Sequence, residues 1–172
     1  MEDILDGKRI LIVDDEADIL ETLVEILSMC LVDTAPNFET ARKFLNKNRY
    51  DLAILDIMGV RGYELLELAN ERNIPALMLT AHAVSPANLV RSIKGGAQSY
   101  IPKDKISEIA VYVADILEPR ERDGESGPDW FQKLEPYFDK KFGERWKEKD
   151  RDFWDVYDRR YRAGKDELEG ML

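Results

Sequence analysis

The sequence predicts an α/β fold: a five-stranded, doubly wound parallel sheet followed by a small α-helical extension. Three observations point there. Short aliphatic runs alternate five times with stretches at helical spacing, and the connections are short. The composition then changes near residue 119, from 12 basic and 20 acidic side chains before it to 13 and 15 after it. All three tryptophans (Trp130, Trp146 and Trp154) lie in the second part.

The elements follow in order. Arg9–Val13 (RILIV) is a β-branched run suited to a strand buried on both faces. Ile19, Leu20, Leu23, Val24 and Leu27 recur at helical spacing. Leu31–Ala35 is a weaker strand and Phe38–Leu45 a short helix. Leu52–Leu55 (LAIL) is a third strand, and Tyr63–Ala69 is helical. Ala76–Leu79 (ALML) is a fourth strand. Pro86–Lys94 is a helix that stops at Gly95-Gly96. Ser99–Ile101 is a fifth strand, and Ile106–Leu117 a last helix. These elements make one domain of residues 1–118. Residues 119–128, charged and rich in Gly and Pro, read as a linker, and residues 129–172 as a helical C-terminal extension.

Composition excludes several function classes. The net charge of −10 disfavours nucleic acid and anionic membrane as partners, because phosphate repels it. One cysteine, Cys30, allows no internal disulfide, and one histidine, His82, allows no His-only metal cluster. Cys30 is expected to be a small buried apolar residue. No apolar run reaches the roughly 18 residues of a membrane span. The acidic start, MEDILDGKR, lacks the features of a signal peptide, so a soluble, cytoplasmic protein is expected.

In a parallel sheet the strand ends converge on one edge, where ligands bind. The first strand runs into Asp14-Asp15-Glu16, the third into Asp56, and the fourth into Thr80-Ala81; Lys103 stands just past the fifth. Taken alone, Asp14 and Asp15 also suit a helix N-cap, Asp56 a turn, and Lys103 a solvated surface. Together, clustered carboxylates repel unless something positive compensates them. A Mg²⁺ held by oxygen ligands and the Lys103 ammonium would do so. Carboxylates, Mg²⁺, a hydroxyl and a lysine make a site for a phosphoryl group, which one carboxylate can accept.

IVDDE at 12–16, ILDI at 54–57, LTA at 79–81 and GAQSYIPK at 96–103 stand in this order. The constellation resembles the receiver domain of two-component response regulators, chemotaxis-regulator-like, over about residues 8–118. The resemblance implies a flavodoxin-like fold and a phosphoacceptor rather than a classical enzyme. It implies that Asp56 takes a phosphoryl group from a histidine kinase or phosphotransfer protein. It assigns Mg²⁺ to Asp14, Asp15, Asp56 and the backbone carbonyl of Met58. Thr80 is then the hydroxyl, and Lys103 the cation, that contact the phosphoryl oxygens. Tyr100 matches the aromatic switch that turns inward as the threonine moves. The family position of His82 flanks the phosphoryl group, but the favoured expectation for His82 is an exposed loop imidazole. The expected output is contact with a downstream protein, with a homodimer as a further expectation. The family pattern reads D-x-x-M-P with a glycine eight residues past the aspartate. Here the glycine, Gly62, is the sixth residue and the proline is missing, so the loop is about two residues short. Gly59 is expected to supply the backbone angle that closes it. Asp104, not proline, follows Lys103.

The extension holds ten of the chain's 16 aromatics. Trp130, Leu134, Tyr137/Phe138, Phe142 and Trp146 form one helical series, and Phe153/Trp154, Tyr157 and Tyr161 a second. Two or three short helices are expected. Pro136 would start a new one, Gly143 and Lys147–Asp152 are breaks, and Gly164 is a terminal cap. The aromatics should mostly pack together, with the run Lys147–Asp152 solvated. Two alternative functions follow: a DNA-binding transcriptional regulator through these helices, and a Mg²⁺-dependent phosphohydrolase. The basic cluster Arg159, Arg160 and Arg162 is small for the first, and no added acid/base carboxylate marks the second.

Overall fold

The computed structural model describes residues 2–118 and 129–158. The expected linker 119–128, and Arg159, Arg160, Tyr161, Arg162 and Gly164, lie outside the described residues. The chain divides into two compact units, Met1–Leu117 and Glu118–Leu172.

The first unit runs α1 (Glu2–Leu5), β1 (Arg9–Val13), α2 (Ala17–Ile26), β2 (Leu31–Ala35), α3 (Phe38–Lys47), β3 (Leu52–Asp56), α4 (Gly62–Glu71), β4 (Ala76–Thr80), α5 (Pro86–Lys94), β5 (Ser99–Pro102), and α6 (Ile109–Leu117). All strand pairs are parallel, in the order β2-β1-β3-β4-β5. Every residue of β3, β4 and β5 is buried, which is why these runs are apolar without alternation. β2 lies at the edge and is only partly covered, with Leu31 60% exposed. That explains its weaker sequence signal. α1 and α2 pack with α6, and α3 packs with α4, so helices cover both faces. Tyr63 of α4 donates its hydroxyl to Asn88 Oδ1 of α5 at 2.8 Å, tying those two helices.

Local chemistry sets the helix starts. The Asn37 side chain accepts from Thr40 N–H at 2.9 Å ahead of α3. Ser85 does the same for Asn88 N–H at 3.1 Å, with Pro86 at the first helical position of α5. Two elements differ from expectation. The four-residue α1 was not predicted; Leu5 is fully buried there, and the Cys30 thiol donates to its carbonyl at 3.2 Å. The last helix is not continuous from Ile106: a 3₁₀ segment covers Lys103–Glu108, non-helical at Lys105, before α6 begins. No peptide bond among the described residues is cis, including the one before Asp104.

In the second unit, α7 spans Asp129–Phe142. A 3₁₀ turn follows at Glu148–Asp150, and residues 151–158 are helical. Pro136 lies inside α7 rather than starting a new helix. Proline in a helix interior loses one hydrogen bond and costs ~3 kcal/mol. Packing overrides this: Trp130, Phe131, Leu134 and Phe138 are all buried from one continuous helix, while Pro136 faces outward. Gly143, at φ +94°, ends the helix as expected. Phe131 stacks on Trp154 at 5.2 Å between centroids, and Trp146 meets Trp154 edge-on at 5.0 Å. Lys147 is a correction to the expected solvated run. Its ammonium lies 5.2, 5.5 and 5.1 Å from the ring centres of Phe131, Trp146 and Trp154, and pairs with Glu135.

Candidate functional site

β1 and β3 are neighbours, and β2 lies on the far side of β1, so the chain reverses its winding direction between them. Asp14 and Asp15 follow β1, and Asp56 is the last residue of β3. Carboxylate oxygens of Asp14, Asp15 and Asp56 all lie within 4.8 Å of one another. Asp14 and Asp56 are buried, and Asp15 is exposed. Asp14 Oδ1 accepts the Glu16 backbone N–H at 2.9 Å. The N-cap of α2 is Glu16, whose side chain makes no cap hydrogen bond, so the aspartates are not serving as caps.

Lys103, its side chain only 8% exposed, reaches into this cluster from the end of β5. Its Nζ lies 2.8 Å from Asp14 Oδ2, 2.9 Å from Glu16 Oε2 and 3.6 Å from Asp56 Oδ2. Burial alone would lower the Lys103 ammonium, but the bonds to Asp14 and Glu16 and the charge of Asp56 outweigh it and raise it. The bond from Lys103 holds the Glu16 carboxyl below the usual range. Asp56 behaves oppositely. Burial, and then the charge of Asp14, push its carboxyl up to about 7, against the pull of Lys103. One ammonium therefore undercompensates three clustered aspartates and Glu16. Hard oxygen donors with surplus negative charge fit a divalent cation.

The loop after β3 closes through unusual backbone. Gly59 has φ +85°, as expected, and Arg61 has φ +56° at the start of α4. A Cβ on Gly59 would sit 2.3 Å from Asp15 Oδ2, so the bare backbone cradles that carboxylate. The Met58 side chain is 54% exposed. Thr80 ends β4, one residue beyond the Leu79 that pairs with Asp56. Its buried Oγ1 accepts the Ala83 N–H at 3.0 Å. Tyr100, fully buried on β5, donates its hydroxyl to the Ala83 carbonyl at 2.6 Å and accepts from Ser85 N–H at 3.2 Å. Thr80 and Tyr100 are thus joined through the backbone of one residue, Ala83. His82 is exposed on the same loop.

Asp56 titration makes stability depend on pH. A carboxyl raised from 3.8 to about 7 binds its proton more tightly in the folded than in the unfolded state. Its contribution is complete at low pH and is lost as pH rises from about 4 to about 7. Glu16 acts only at lower pH and Lys103 only at higher pH, so neither masks it. Without divalent cations, raising the pH from 5 to 8 is expected to cost about 2 kcal/mol, roughly 5–10 °C in melting temperature. With millimolar Mg²⁺ the slope should flatten, because the cation replaces the proton. Thermal melts in EDTA and in Mg²⁺ check this; equal pH slopes in both would refute cation binding by Asp56.

A family model described as the response regulator receiver domain matches residues 10–114. The chain belongs to the response regulator receiver family. The two-component response regulator ARR10 of Arabidopsis thaliana is 38% identical over 104 residues, covering 56% of this chain and 19% of that protein. A CheY-like receiver domain protein from Methanospirillum hungatei superimposes with a TM-score of 0.60 at 30% identity, covering 65% of this chain and 94% of the other. A response regulator from Burkholderia pseudomallei, solved with a phosphorylated aspartic acid, a calcium ion and citrate, gives a TM-score of 0.55 at 26% identity. That match covers 61% of this chain and 65% of the other. The chain spans half or less of the length of the first curated relatives it matches. The receiver's sheet order, acidic cluster and lysine fall in the matched region. Among the described residues, no helix is long and apolar enough to cross a membrane.

Proposed function

We propose that this receiver, residues 1–118, accepts a phosphoryl group on Asp56 from a phosphohistidine of a histidine kinase or phosphotransfer protein. One observation carries the reading: Lys103 Nζ stands 2.8 Å from Asp14 and 3.6 Å from Asp56, where three aspartates share one small volume. The phosphorylated aspartic acid and calcium ion of the Burkholderia relative support it. Asp14, Asp15, Asp56 and the Met58 carbonyl would hold Mg²⁺, which when bound neutralises phosphoryl oxygens and the carboxylate cluster. An Asp56 oxygen attacks phosphorus, the P–N bond breaks, and its electron pair returns to the imidazole. Lys103 leaves Asp14 for the incoming phosphoryl oxygens, and the Thr80 hydroxyl turns from Ala83 to donate to another. Releasing Ala83 alters the backbone to which Tyr100 is bonded, so the Tyr100 side of the domain senses the event. The phosphorylated face then contacts a downstream protein or a second copy of the chain, in the cytoplasm. Among the described residues of the second unit, Asp129–Phe142 and residues 151–158 are helical.

Incubating the full chain with a small acyl phosphate tests this by intact mass. A single phosphoryl adduct, present with Mg²⁺ and absent in EDTA, is expected. No adduct with Mg²⁺, or an equal amount in EDTA, would overturn the reading.

A further inference from the structure

We propose that Glu16 is a positioning residue that keeps the Lys103 ammonium docked beside Asp56 when a divalent cation takes over Asp14. The inference rests on the phosphoacceptor reading and extends it to a residue outside the aspartate cluster. Glu16 occupies the N-cap of α2 but makes no cap bond; its carboxylate instead accepts from Lys103 Nζ at 2.9 Å. The two residues are 87 positions apart, so the bond links the loop after β1 to the end of β5.

Lys103 has two close partners, Asp14 at 2.8 Å and Glu16 at 2.9 Å, with Asp56 more distant at 3.6 Å. A cation on Asp14 draws that carboxylate's charge away from the lysine. Glu16 is not part of the Asp14, Asp15, Asp56 group and keeps its charge free. It is also 47% exposed, so it swings with the ammonium at little cost, whereas Asp14 is buried and held. A mobile, anionic tether retains the lysine through the exchange from Asp14 to phosphoryl oxygen. Without Glu16, a lysine loosened from Asp14 keeps only the more distant Asp56 carboxylate, at 3.6 Å, as its partner.

The test compares the full chain with Glu16→Ala, Glu16→Gln and Glu16→Asp. Loading by a small acyl phosphate is measured as maximal rate and half-saturating donor concentration. The Lys103 side-chain ammonium is followed by nitrogen-15 NMR in saturating Mg²⁺. A pair with its carboxylate partner half exposed supports changes on the order of two- to fivefold. The maximal rate should fall by that factor in Glu16→Ala and Glu16→Gln and recover in Glu16→Asp. The half-saturating donor concentration should stay level or fall, since a negative charge facing the anionic donor is gone. The ammonium signal should broaden or exchange away in Glu16→Ala. A wild-type chain that loads, with Glu16→Ala matching it in rate and ammonium signal, overturns the tether alone. A wild-type chain that takes no phosphoryl group overturns the reading of the site, and the tether with it.

Discussion

Asp56→Asn is expected to eliminate phosphoryl loading and, at the same time, to stabilise the cation-free protein. The amide has the shape of the carboxyl but no anionic oxygen, so it offers no nucleophile and only a neutral carbonyl to a cation. Loss of a nucleophile removes the reaction rather than slowing it, and loading should drop by at least about a thousandfold. The stability gain has a separate cause. Asp56 is buried beside Asp14 and Asp15, and its carboxyl is pushed up to about 7 by burial and then by Asp14. Removing that charge at pH 8 should add about 2 kcal/mol and abolish most of the pH slope between 5 and 8. Intact mass after acyl phosphate treatment reads the first effect, and thermal melts at pH 5 and 8 read the second. An asparagine variant that labels as well as wild type would show that another residue is the acceptor.

Gly59→Ala should cripple cation binding although it changes no ligand. The added Cβ would lie 2.3 Å from Asp15 Oδ2 and 2.8 Å from Asp15 Cγ, well inside van der Waals contact. Either the Asp15 carboxylate or the loop must move. The φ of +85° adds the backbone penalty of a side chain in the left-handed region, about 1 kcal/mol. Gly7→Ala separates the two effects. Gly7 has φ +73° with nothing within 4 Å of its would-be Cβ, so that variant carries the backbone penalty alone. Mg²⁺ titration followed by thermal shift should show affinity reduced more than about tenfold in Gly59→Ala and unchanged in Gly7→Ala. Equal affinities in the two variants would mean that Gly59 serves only to turn the chain.

Much of this receiver was legible in its linear order. β1, β3 and β4 announce themselves because strands buried on both faces need no polar alternation, and β2 reads weakly because it is an edge. Once the sheet is parallel, residues just past its strands meet at one edge, so Asp14, Asp15, Asp56 and Lys103 could be grouped before any coordinates. The 3₁₀ segment at Lys103–Glu108 was not legible, since its residues carry no periodicity that separates it from α6. Pro136 misled because a local breaker was outweighed by a shared aromatic face.

The sequence by itself determined the sheet, the helices that follow its first four strands, and which acidic and basic groups share the carboxyl edge, because apolar periodicity and strand ends are local properties. Only the tertiary structure decided which carboxylates Lys103 selects, that Gly59 cradles Asp15, that Thr80 and Tyr100 share Ala83, and that Lys147 sits among rings. Each of these depends on ångström-scale distances that follow from how whole elements and loops pack, not from any local pattern.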